Sequence, residues 1–262
     1  EVIPYDPTRK IDEVEVFSTF LAIEGRQDGL TQLWTVGVTG AGVVDPATFK
    51  RVEFPEAMYE CALSTNKVYE TTAVRVYYSS LTTPDMWQDY DVVTGEFRLV
   101  KQKECLNFDS DAYVCKRAWA KADDGTMVPM SMVHRKDVDI DGPAPTPTML
   151  YAYGSYGVCI DPCFHRMILP YLDRGMLYVI AHIRGGGEMG RYWYEEQGKY
   201  LNKRNTFSDF INCAEHLVDT GVTAPEKLAI EGRSAGGLLM GAVLNMRPDL
   251  FKIAISGVPF VD

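Results

Sequence analysis

The chain has 262 residues, 46% of them hydrophobic and 24% charged, an ordinary globular composition with enough length for one large core or two modest ones. Its net charge of -10 comes without a basic stripe, which argues against a nucleic-acid surface, while a negative field suits cationic partners. No apolar run is long enough to span a bilayer as a helix.

Residues 1 to about 105 read as short strands rich in Val, Tyr, Phe and Thr: Val14–Glu24, Gln32–Val36, Val74–Ser80, Trp87–Val93 and Phe97–Val100. Turn residues punctuate them, notably Asp28-Gly29, Pro84-Asp85 and Thr94-Gly95. Trp34 and Trp87 sit in similar strand contexts 53 positions apart, a spacing of the order of a propeller blade, although a sandwich would account for the same strands.

From about Asp111 the pattern changes. A hairpin (Ala112–Ala120 and Thr126–His134, turning at Asp123-Asp124-Gly125) leads through the proline-rich stretch 141–147 into alternating strands and helices, which implies a sheet covered by helices. Thr148–Tyr153 and Met176–Ile183 read as buried strands. Phe207, Phe210, Ile211, Ala214, Leu217 and Val218 have helical spacing, with Thr206 and Asp209 expected as a capping box and Gly221 as the stop. The boundary between an all-β part and an α/β part is therefore set at 110/111.

The chemistry concentrates at Gly232-Arg233-Ser234-Ala235-Gly236-Gly237, between the strand Lys227–Glu231 and the helix Leu238–Met246. Strand, sharp turn and helix with glycine two places before and after a serine is the pattern of a nucleophile elbow, where a strained serine needs neighbours without side chains. Ser234 is then the candidate nucleophile, and the Ala235 N–H at the helix start is aimed at a developing oxyanion. A second donor is expected from the loop after Tyr151-Ala152-Tyr153, where Gly154 and Gly157 allow close approach and a phenol is an acceptable donor.

Gly185, Gly187 and Gly190 match GxGxxG, but this is not the first βα unit and bulky residues follow. A loop bordering the active site is expected there, with no nucleotide or other cofactor. Cys61, Cys105, Cys115, Cys159, Cys163 and Cys213 include no CxxC pair and read as reduced thiols, in keeping with a cytoplasmic location; Cys159 and Cys163 lack partners for zinc, and no metal site is expected. The histidines, His134, His165, His182 and His216, all precede Ser234, whereas this fold places its acid and base after the serine. With Glu1 in place of Met, the chain is expected to be a piece of a longer polypeptide, and inactive alone for want of the triad Asp and His.

These motifs, with residues 151–157, 181–188, 203–207, 232–237 and 247–251 and the earlier stretch 22–30, resemble the prolyl oligopeptidase family over nearly the whole chain. The resemblance implies the last blades of a β-propeller followed by the N-terminal half of an α/β-hydrolase domain. It implies Ser234 as acyl-forming nucleophile and the Tyr153 hydroxyl with the Ala235 N–H as oxyanion hole. Ala235, where prolyl-specific members usually have Asn, favours the branch that cleaves short peptides after Arg or Lys; prolyl oligopeptidase, acylaminoacyl peptidase and esterase activities are the alternatives. Tyr156 and Asp161 are expected on the substrate side, although Asp161 reads equally as a turn residue before Pro162, and Cys163 stands where some members carry a second acid.

Overall fold

The computed structural model describes residues 2–6 and 8–261. They form two compact units: residues up to Asn107 joined by the short segment Asp161–Phe164, and Phe108–Ile160 with the residues from His165 onward.

The first unit holds two four-stranded antiparallel sheets, each a simple meander. One runs β1 (Arg9–Val16), β2 (Phe20–Gln27), β3 (Leu30–Val38) and β4 (Val44–Arg51); the other β5 (Glu60–Leu63), β6 (Ala73–Ser79), β7 (Met86–Asp91) and β8 (Phe97–Gln102). Asp28 and Gly29, both with positive φ, close the β2–β3 hairpin tightly enough that Gln27 pairs with Leu30. Trp34 and Trp87 each lie on the third strand of their sheet, the arrangement of repeated blades. Phe17, Phe20, Leu33, Val52, Tyr59, Val74, Val76, Tyr78 and Tyr90 pack into one apolar cluster.

Two sequence expectations change here. Val14–Glu24, read as one strand, is broken at residues 17–19: the Phe17 N–H donates to the Phe20 carbonyl at 2.9 Å and the two rings stack 4.3 Å apart. No glycine or proline marks this reversal; burying both phenylalanines drives it. Strands β4 and β5 were not anticipated, since β4 is interrupted by Asp45 and Pro46 and β5 has only four residues.

The second unit is built on β9 (Tyr113–Lys121), β10 (Met127–Arg135), β11 (Thr148–Tyr151), β12 (Leu177–Ala181), β13 (Leu228–Arg233) and β14 (Ile253–Gly257), with helices α1 (Leu169–Leu172), α2 (Arg191–Glu195), α3 (Arg204–Asp219) and α4 (Ala235–Met246). Its sheet order is β9-β10-β12-β11-β13-β14, antiparallel between β9, β10 and β12 and parallel from β12 to β14. This is the order of an α/β-hydrolase. All five residues of β12 are buried, as its unbroken apolar run requires, and α3 and α4 contribute Phe210, Leu217, Leu239 and Val243 to the core on the sheet.

The chain passes from β11 to β12 on one side and later adds β13 on the other, so a topological switch falls between β11 and β13. The crevice at the carboxyl ends of these strands is where open α/β sheets place their ligands.

Helix α3 begins at Arg204, two residues before the expected cap, and no side chain caps it. Thr206 and Asp209 are buried inside the helix. Asp209 instead accepts hydrogen bonds from the Arg184 backbone N–H at 2.9 Å and from its guanidinium, because a buried arginine competes for a carboxylate more strongly than a solvent-accessible helix end. Gly221, with φ of 78°, follows the final turn as the sequence indicated.

Candidate active site

Ser234 stands at the carboxyl end of β13, at the switch point, as the residue preceding α4. Its φ of 52° and ψ of -116° lie outside the regions comfortable for a residue with a side chain. Surrounding structure holds it there. The Ser234 N–H donates to the Gly257 carbonyl at 2.9 Å, while its own carbonyl accepts from Gly237 at 2.8 Å and Phe260 at 2.9 Å.

The two flanking glycines are needed on steric grounds. A Cβ on Gly232 would collide with the Gly236 carbonyl, and one on Gly236 would lie 3.0 Å from the Ala152 carbonyl oxygen and 3.6 Å from the Tyr153 ring. That second contact also fixes the partner loop: the residues following β11 press directly on the first turn of α4. Sequence reading missed the segment after β14, where Val258 takes a φ of 40° and a Cβ on Gly237 would come within 2.5 Å of Pro259. Gly257-Val258-Pro259 carried a turn signal that could have pointed to it.

Ser234 is exposed, Ala235 buried and Tyr153 half-buried. The Ala235 N–H is one of the amides a helix leaves unpaired at its start, on the positive end of a twelve-residue helix. Tyr156, also at positive φ (60°) and 64% exposed, has its ring 6.5 Å from that of Tyr153. Gly154, Tyr156 and Gly157 all have left-handed φ, so the loop doubles back at once after Tyr153.

The glycines of the GxGxxG stretch shape this same loop: Gly185, at φ 104°, leaves no room for a Cβ beside the Gly154 carbonyl, and its own carbonyl accepts from the Gly157 N–H at 3.0 Å. Lys203, which the sequence did not single out as a site residue, reaches in from the start of α3. Its ammonium donates to the Gly154 carbonyl and, at 2.8 Å, to the Ser155 hydroxyl.

Asp161 belongs to the first unit, where its carboxylate takes two hydrogen bonds from the Arg26 guanidinium, one of them 2.8 Å long. Cys163 lies in the same segment, and burial pushes its thiol up to about 12.

Ser131, His182 and Glu188 form a second serine–histidine–carboxylate series, with Ser131 Oγ 2.8 Å from His182 Nε2 and His182 Nδ1 3.8 Å from Glu188 Oε1. These residues are 1–3% exposed, so no substrate reaches them, and Glu188 is engaged by the Ile160 N–H. His134 is likewise occupied, its Nδ1 bonded to the Arg135 carbonyl at 2.8 Å.

Among the described residues no helix is long and apolar enough to cross a membrane, and no three His, Cys, Asp or Glu side chains converge as a metal shell.

A strained serine between a helix start and a glycine-shaped tyrosine loop, at the switch point of this sheet, has the backbone geometry of a nucleophile elbow. Comparison with known proteins agrees. The profile described as "Prolyl oligopeptidase family" matches residues 163–262, and that described as "Prolyl oligopeptidase, N-terminal beta-propeller domain" matches residues 1–103. Protease 2 of Moraxella lacunata is 41% identical across the whole chain, which covers 36% of that protein. Dipeptidyl aminopeptidase BI of Pseudoxanthomonas mexicana is 43% identical over 96% of the chain and 34% of its own length. Among solved structures, oligopeptidase B from Trypanosoma brucei with covalently bound antipain superposes with a TM-score of 0.91 at 54% identity, over all of this chain and 37% of that one. Oligopeptidase B from Leishmania major gives 0.90 at 48%, again over all of this chain and 37% of that one. The chain belongs to the prolyl oligopeptidase family, and it spans about a third of the length of the relatives it matches.

Proposed function

We propose that Ser234 is the nucleophile of a serine peptidase that cleaves short peptides after Arg or Lys. The observation that carries this reading is the elbow itself: Ser234 held at positive φ over the carboxyl end of β13, with the Tyr153 loop pressed on the first turn of α4. Ser234 Oγ attacks the scissile carbonyl, its proton passing to a general base; the carbonyl oxygen becomes negative and is met by the Ala235 N–H and the Tyr153 hydroxyl. The C–N bond then breaks, the amine leaves with the proton, and water hydrolyses the acyl-serine. The base and its orienting acid are, in this reading, supplied by the longer polypeptide.

Preference for basic side chains is supported by Ala235 in the family motif and by a net charge of -10. Restriction to short peptides is supported by the propeller profile over residues 1–103. None of the six cysteines is in a disulfide, in keeping with the cytoplasmic location we propose.

The test is a fluorophosphonate probe on the polypeptide expressed at the full length of its relatives. Labelling that disappears in Ser234→Ala is expected; an unlabelled wild type would remove the hydrolytic reading. Arg-, Pro- and dipeptidyl-amide reporters then separate the specificities that the relatives' names span, and a failure of the Arg reporter beside a working alternative would reassign the substrate.

A further inference from the structure

Lys203 is placed where a lysine is costly. It is the cap residue at the start of α3, a sixteen-residue helix whose positive end repels a cation. Burial lowers its ammonium from the usual 10.5 to about 8, and its hydrogen-bond partners are one carbonyl and one hydroxyl, with the Phe207 ring 5.9 Å away. No carboxylate offsets the charge among the described residues. A site that places a cation against desolvation and a helix dipole together is a candidate for function rather than stability.

What the ammonium holds is specific. Gly154 directly follows Tyr153, and Ser155 follows Gly154. On the other side of Tyr153, the Ala152 carbonyl and the Tyr153 backbone abut Gly236 of the elbow. Tyr153 is thus bracketed, by the nucleophile's own helix before it and by Lys203 after it. The Gly154 carbonyl is also confined by Gly185 and the neighbouring backbone by Thr206 and Ile183, so the ammonium acts on a segment with little room to adjust.

We propose that Lys203 is a positioning residue, which by gripping the Gly154 carbonyl and the Ser155 hydroxyl holds the Tyr153 phenol in line with the oxyanion that forms at Ser234. This deepens the hydrolytic reading and rests on it. In Lys203→Met the grip is gone, the loop relaxes, and the donor is no longer preorganised when charge develops. Such a loss falls on the transition state and so on kcat more than KM.

The experiment uses the full-length polypeptide with wild type, Lys203→Met, Lys203→Arg, Tyr153→Phe and the Lys203→Met/Tyr153→Phe and Lys203→Arg/Tyr153→Phe pairs. Expected is a fall in kcat of about 10- to 100-fold for Lys203→Met with KM little changed, partial recovery in Lys203→Arg, and almost no further loss when Lys203→Met is added to Tyr153→Phe. The thermal midpoint of Lys203→Met is expected to be equal to or above wild type, since an uncompensated buried charge has been removed. Hydrogen exchange of residues 152–158, read on the same samples, is expected to speed up.

An unchanged kcat, a loss explained by a lowered melting point, or a loss fully additive with Tyr153→Phe would each overturn the proposal. If Lys203→Met does not fold, Lys203→Arg decides through the same cycle: additivity with Tyr153→Phe overturns the proposal and non-additivity upholds it. The two readings fail separately. A wild type that takes no probe defeats the hydrolytic reading whatever the exchange shows, and unchanged exchange with intact labelling defeats only the loop grip.

Discussion

Gly232 carries the sharpest steric demand at the elbow, because even one added carbon meets the Gly236 carbonyl. Gly232→Ala should destabilise the second unit by about 1–3 kcal/mol, the range for forced overpacking. It should slow probe labelling by about 100-fold through displacement of the hydroxyl; denaturant melts and labelling rates check the two effects independently. A normal labelling rate would show that the bend tolerates a side chain there. Ser234 was legible in the sequence because its glycines stand at fixed spacing beside it. Lys203 was not, because the groups it binds are 48 and 49 positions away and a single lysine has no spacing to read.

The surest helix shows what periodicity does and does not reveal. Its apolar stripe gave α3 within a residue or two, yet the cap assignment failed: Asp209 serves Arg184, 25 positions earlier in the chain, a pairing invisible to local pattern. Arg184 also donates to Asp124 in the β9–β10 turn at 2.5 Å, and that hydrogen bond holds the Asp124 carboxyl down from 3.8 to about 2. A carboxyl lowered in the folded state contributes stability that is complete above its unfolded value and is lost as pH falls toward the folded one. The stability difference between wild type and Asp124→Asn should therefore be present at pH 6 and close between about pH 4 and pH 2, as followed by thermal melts across that range. A gap independent of pH would show that the carboxylate charge is immaterial. Asp124 is half exposed, so the gap should also shrink in salt.

At the scale of the whole molecule the change from strand pattern to strand–helix pattern was written in composition and turn residues, and the Trp34–Trp87 spacing does reflect two successive sheets. What could not be read was the excursion of Asp161–Phe164 into the first unit. Proline and a charged residue in that stretch look like any surface turn, whereas the structure gives Asp161 to Arg26 and lets the Phe164 N–H donate to Ser79 Oγ at 2.9 Å. Both members of the Arg26–Asp161 pair have side chains only 11% exposed, so Asp161→Asn should cost about 1.5–3 kcal/mol through the loss of charge-assisted hydrogen bonds. The double change Arg26→Met/Asp161→Leu should recover most of it. Equal stability of Asp161→Asn and wild type in urea would mean that the carboxylate charge of Asp161 contributes nothing to the fold.

Arg26 and Asp161 are 135 residues apart, and a ribosome covers that distance in roughly 7–27 seconds. For that interval the emerging β-meanders lack the carboxylate that takes two hydrogen bonds from Arg26. The first unit cannot reach its final form until residues 108–160 of the second have been synthesised, so the order of completion along the chain is not the order of the sequence.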